Sequence, residues 1–167
     1  MAILERPATD NYFAFYGLLP VFAIDVDVLK KLYLEKSRQY HPDFFNDDPI
    51  AQNIAIEVTA FNNKAFKVLN NPVDRIKYLV QINSDKEDNK ALSQDFLMEM
   101  LDLNEQIDEL SFAEEKEPLR TNLTTAIDEQ HQQLMQTIVV LVEKQEWGAA
   151  KDELLKLAYL ERLKVRI

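Results

Sequence analysis

Along most of this chain the hydrophobic positions return every three or four residues, the spacing of helices buried on one face. A short aromatic segment, Tyr12 to Tyr16, comes first and Gly17 ends it. "LLPVFAID" reads as a loop, and Asp25 or Asp27 can cap the helix after it. Leu29, Leu32, Tyr33 and Tyr40 then line one side of an amphipathic helix of about four turns. Its other side carries Lys30, Lys31, Lys36 and Arg38. Pro42 stops this helix, because proline lacks an N–H and disfavours helix at the residue before it. Residues 44 to 49 read as a polar loop. A second long helix runs from Pro49 to Leu69, with Ile54, Val58, Phe61, Ala65 and Leu69 in phase. In "NNPVDRIKYL", Asn71 caps and Pro72 suits the first helical position of a short helix.

The run "NSDKEDNKALS" is polar, charged and without period, so it reads as a linker. It divides the chain into a first domain at 1–80, a linker at 81–92 and a second domain at 93–167. The second domain contains three helical patterns. One covers 93 to 111; a long one follows Pro118, with Leu119, Leu123, Ile127, Leu134, Ile138 and Leu141 in phase; the last covers 148 to 165. Short connections make these an antiparallel three-helix bundle, and the expected fold class is all-α.

Composition narrows the function. The chain has 167 residues, 47% of them hydrophobic, enough for packed cores. Gly17 and Gly148 are its only glycines, which excludes glycine-rich phosphate loops. It has no cysteine, hence no disulfide, thiolate metal site or thiol nucleophile. His41 and His131 are its only histidines and lie far apart in sequence, so neither a metal site nor a cofactor is expected. Net charge is −10. Residues 1–80 hold 9 Lys+Arg against 10 Asp+Glu, and residues 81–167 hold 10 against 19, so the acidity belongs to the second half. Such a balance disfavours nucleic acid and anionic membranes as partners. "MAILERPATDNYFAFYG" lacks signal- and transit-peptide architecture, and "TIVVLVE" is too short to span a bilayer. The expected compartment is a bacterial cytoplasm.

The joint between the first two long helices is "SRQYHPDFFNDDP". A histidine in a last helical turn and a proline just beyond it are ordinary stop signals. At the tip of a helical hairpin, however, His41 and Asp43 face solvent and Pro42 stiffens their presentation. "DNYFAFYGL", "LKKLYLEKSRQYHPD" and "FNNKAFKVLNNPVDRIKYL" resemble their counterparts in the J domain, an antiparallel helical hairpin with short flanking helices. J domains stimulate heat-shock-seventy-type ATPases. The resemblance, over residues 10 to 80, implies that His41, Pro42 and Asp43 contact such a chaperone. It also implies that Lys30, Lys31, Lys36 and Arg38 meet its ATPase domain, with Asp43 pairing with a cationic group there. A solvated helix face is the alternative for the lysines, and Glu35 interrupts their stripe.

Helix 93–111 has two apolar faces. At 100° per residue, Phe96, Met100, Leu103, Ile107 and Leu110 point one way, into the bundle. Met98, Leu101 and Glu105 point the other way, beside Asp102 and Glu109, with Leu97 flanking. This second patch suits either the J domain packing onto it or a separate partner. "FLMEMLDLNEQIDEL" and "WGAAKDELLKLAYLERL" resemble the C-terminal domain of HscB-type J proteins, co-chaperones of iron–sulfur cluster assembly. That likeness implies that Leu97, Met98, Leu101, Asp102, Glu105, Glu109 and Tyr159 bind an IscU-like scaffold protein, and that the chaperone is HscA/DnaK-like. Asp102 stands where glutamate is usual, Tyr159 where phenylalanine is familiar, and Asn104 at a more basic position. A J protein serving another client is the alternative. An enzyme built on His41 and Asp43 lacks a second catalytic constellation, so no enzymatic activity is expected. His131 reads as a helix-surface or partly buried residue, and Trp147 as packing where two helices meet.

Overall fold

In a computed structural model of the chain, residues 9–84, 92–110 and 112–167 are described. They form seven helices and, among the described residues, no strand: α1 (Tyr12–Tyr16), α2 (Val26–Gln39), α3 (Pro49–Asn70), α4 (Pro72–Asn83), α5 (Gln94–Glu109), α6 (Lys116–Glu143) and α7 (Trp147–Lys164). The chain divides into two compact units, residues 1–79 and 80–167.

Local chemistry sets the helix ends in the first unit. The Asn11 side chain accepts from the backbone N–H groups of Phe13 and Ala14 and starts α1. Gly17 ends it at φ +67°, a left-handed conformation that glycine adopts without steric cost. Of the two aspartates able to cap α2, Asp25 does so, accepting from Asp27 and Val28 N–H. Asp48 caps α3 and Asn71 caps α4, each followed by proline at the first helical position. A short 3-10 turn, Pro42–Phe45, takes up the first two residues of the stretch expected to be a polar loop. His41 caps it through Nδ1, which accepts from Asp43 N–H at 3.3 Å. Pro42 supplies the preset φ of the first position.

The helical hairpin of α2 and α3 packs with α1 through Phe13, Phe15, Tyr16, Leu29, Ala55, Val58, Ala65 and Leu69, all buried. Polar Asn62 sits at its centre, 1% exposed. Its Oδ1 lies 2.6 Å from the Tyr16 hydroxyl of α1. Its Nδ2 donates to the Tyr33 carbonyl at 3.1 Å and to Ser37 Oγ at 3.0 Å, both on α2. Nearer the tip, Thr59 Oγ1 donates to the Tyr40 carbonyl at 3.0 Å. Tyr33 stacks on Phe66, ring centroids 4.3 Å apart. Tyr12 stacks on Tyr78 of α4, whose hydroxyl accepts from Tyr12 N–H at 3.0 Å.

Helix α4 reaches Asn83, so residues 81–83, expected in the linker, are helical. Ile76, Leu79 and Val80 keep the apolar spacing, and Ser84 N–H donates to the Val80 carbonyl at 2.8 Å. Residues 85–91, most of the expected linker, lie outside the described residues.

In the second unit α5, α6 and α7 run up, down and up. Pairs spaced along the helices fix these directions: Asp128 of α6 bonds Lys164 of α7, while His131 faces Glu161, one turn back along α7. Leu103, Ile107 and Leu110 join Leu123, Ile127, Leu160 and Leu163 in one apolar cluster. Helix α6 begins at Lys116, two residues before the Pro118 that was expected to precede it. A proline in the first turn removes only an N–H that has no helical partner anyway. The α6–α7 turn closes on Gln145 at φ 60°, with Gln145 N–H donating to the Val142 carbonyl and Glu146 N–H to that of Leu141. Trp147 is half-buried where α7 starts.

Burial pushes the Tyr16 hydroxyl well above its ordinary value, with a smaller contribution from nearby Tyr33, and burial also raises Tyr78. A raised native value means that the folded chain keeps protons the unfolded chain has lost, so stability falls as pH climbs past about 10. Urea melts at rising alkaline pH should show this fall, and Tyr16→Phe should make it shallower. An unchanged alkaline slope in Tyr16→Phe would remove Tyr16 from the account.

Candidate functional site

Two exposed surfaces, one in each unit, hold the residues singled out from sequence. The first is the hairpin tip. Because Pro42 and the end of α2 at Gln39 place His41 and Asp43 beyond regular helix, their side chains stand 52% and 78% exposed. His41 Nδ1 accepts from Asp43 N–H, which leaves Nε2 as the free ring position. The Asp43 carboxylate lies 3.7 Å from the same Nδ1. Both groups are available to an outside partner.

Lys30, Lys31 and Arg38 are exposed on α2. Lys36 is not grouped with them. Its ammonium lies 4.4 Å from the Phe15 ring centroid, over α1, and the residue is half-buried. Seven positions after Leu29, it falls on the edge of the buried face, where a lysine lays its stem on apolar surface. The cationic stripe is therefore narrower than its sequence suggests.

The second surface is the outer face of α5. Ser93 caps this helix, and Met100, Leu103 and Ile107 anchor its inner side. On the outer side Leu97, Met98 and Leu101 stand 43%, 67% and 57% exposed. Asp102, Glu105 and Glu109 are exposed along the same row. Tyr159 of α7 is half-buried, packed edge-on against Phe96 at 6.3 Å, with the Arg162 guanidinium 5.7 Å from its ring. Most of its ring thus belongs to the bundle, and only part of it remains for a partner. Asn104, whose basic counterpart looked missing, has a structural role: its Nδ2 donates to the Met100 carbonyl and its Oδ1 accepts from Arg166, which also bonds Asp108 at 2.6 Å. A lysine or arginine there has no acceptor to offer Arg166. Among the described residues no cluster of metal-ligating side chains occurs, and no helix is long and apolar enough to cross a membrane.

Residues 92–167 match the family model described as the HSCB C-terminal oligomerisation domain. The chain is 29% identical over 161 residues to the co-chaperone protein HscB of Proteus mirabilis, covering 94% of this chain and 93% of that one. A HscB homolog from Vibrio vulnificus is equally similar, at 29% identity and 94% of each chain. Over nearly its whole length the chain is similar to HscB-type co-chaperones, and its second unit matches their C-terminal domain. Solved structures agree on the fold. Chaperone HscB from Vibrio cholerae superposes with a TM-score of 0.78 at 24% identity, over 93% of each chain. Human co-chaperone HscB superposes at 0.80 and 24%, over 96% of this chain and 84% of that one. The fold shared with them is a J domain followed by a helical bundle, the all-α architecture described above.

Sequence reasoning missed Phe44, an exposed aromatic next to Asp43. The signal was present, since "DFF" breaks the polarity expected of a loop tip.

Exposed side chains carry little folding energy, so Leu97→Ala with Leu101→Ala should change unfolding free energy by no more than about 1 kcal/mol. Chemical denaturation tests this. A loss of several kcal/mol would place both leucines in the core.

Proposed function

We propose that this chain is an adaptor in iron–sulfur cluster assembly. The bundle captures an IscU-like scaffold through Leu97, Met98, Leu101, Asp102, Glu105 and Glu109, with the exposed part of Tyr159. The J domain then brings the scaffold to an HscA/DnaK-like chaperone and stimulates its ATPase. His41, Pro42 and Asp43 make the triggering contact there, and Lys30, Lys31 and Arg38 steer it onto an acidic surface. Lys36 joins them only by leaving the Phe15 ring. The chain itself performs no bond chemistry and holds no cofactor. The domains are 1–80 and 93–167, and the setting is the cytoplasm of a bacterium, in keeping with the bacterial relatives.

One observation carries this reading. An exposed His-Pro-Asp tip and a carboxylate-rimmed apolar patch occur in one chain, and neither patch is used by the core of its own unit. An apolar patch that stays in water is a cost unless a partner covers it.

Steady-state ATPase of HscA or DnaK, with and without IscU, tests the proposal. Stimulation by this chain should rise synergistically when the scaffold is added. His41→Gln should remove it while leaving circular dichroism unchanged. Leu97→Ala with Leu101→Ala should keep basal stimulation and lose the synergy. Basal stimulation without any scaffold synergy in the unaltered chain would point to a J protein with another client. Stimulation that survives His41→Gln would discard the role of His41.

A further inference from the structure

The 3-10 turn at the hairpin tip places a second, apolar group beside His41. With three residues per turn, side chains at i and i+3 eclipse one another. Phe44 is three residues after His41, and its N–H donates to the His41 carbonyl at 3.0 Å, closing the turn. The two rings lie 5.6 Å apart between centroids, tilted by 54°. Neighbouring Phe45 is half-buried, whereas Phe44 is 72% exposed. Nothing in the J domain's own core needs the Phe44 ring, and the turn holds it on the His41 side.

A partner surface that covers His41 must therefore cover or displace Phe44 as well. We infer that Phe44 is an apolar anchor of the chaperone contact, seated in an apolar depression next to the acidic surface that receives Lys31 and Arg38. This rests on the proposed chaperone reading of the tip. Its physics differs from that of the charged groups. Burial of a ring is non-directional and stabilises the complex whatever state the ATPase is in. His41 and Asp43, in contrast, must interact differently with the two states in order to shift them. Phe44 thus sets how much co-chaperone is needed, and His41 with Asp43 set how far the ATPase is stimulated.

The test is a titration of the full chain against HscA or DnaK, whichever the unaltered chain stimulates. Burying most of a phenylalanine side chain is worth about tenfold or more in affinity. Phe44→Ala should move the half-stimulating concentration up by about tenfold with the same plateau. Phe44→Leu, which keeps apolar area and tolerates any strain of the alanine variant, should move it by less than about threefold. His41→Gln should lower the plateau. Coincident curves for Phe44→Ala and the unaltered chain would overturn the inference, as would a lost plateau at unchanged midpoint. Sedimentation supplies the remaining arm: a dimer that Phe44→Ala dissolves would make a second copy the occupant and overturn it too. Absence of any stimulation by the unaltered chain would reject the proposed function itself, and the anchor with it.

Discussion

The carboxamide of Asn62 is the polar junction on which the first unit depends. It is enclosed by three helices and joins all of them: Tyr16 on α1, and Tyr33 and Ser37 on α2, from its own place on α3. A buried amide without partners costs about 1–3 kcal/mol for each group left unmade, so these helices are stable together only where all partners align. Apolar contacts such as Tyr33 on Phe66 tolerate small sliding. The amide does not, since its donors and acceptor have directions. It therefore fixes the register of the hairpin, and Thr59 bonding the Tyr40 carbonyl extends that register to the residue before His41.

From there the tip inherits its geometry. Tyr40 ends α2, His41 caps the 3-10 turn, and Pro42 sets its first φ. Each step removes freedom from a segment that would otherwise be a loop. A flexible tip would have to be ordered on binding, at a cost of about 1–2 kcal/mol per residue. With the turn closed internally, that cost is already met in folding. His41, Asp43 and Phe44 can thus act as one preformed patch.

Much of this was legible in the sequence, and the gaps have physical causes. Helix periodicity, the Asn71-Pro72 start and the His41-Pro42-Asp43 stop depend on local chemistry, so they could be read directly. The outer face of α5 could be read from helix phase, because Met98 and Leu101 lie opposite Met100 and Ile107. Four features depended on tertiary contacts and could not. Lys36 looks like a stripe cation until Phe15 is placed beneath it. Asn104 looks like a lost positive charge until Arg166 is brought to α5. Gln145 adopts a left-handed conformation that sequence assigns to glycine, and Gly148, three residues on, lies inside α7. Asn62 belongs with them: in a helix an asparagine reads as a solvent-facing residue, and only its partners on α1 and α2 make it central.

The unequal charge of the two halves bears on how the proposed adaptor would work. A sum of −1 lets the J-domain half keep a local cationic face on α2 without long-range repulsion from an acidic chaperone surface. The −9 half concentrates carboxylates around an apolar patch of only three exposed side chains. So small a patch gives modest affinity, and its charged rim favours a basic partner and fast encounter more than tight binding. Weak contacts at both ends suit an adaptor. Held on one chain, two partners meet at effective concentrations on the order of millimolar, so neither contact has to be strong and both can release. A tight scaffold contact would work against the proposed adaptor, since it would hold the scaffold on the bundle after the chaperone had been reached.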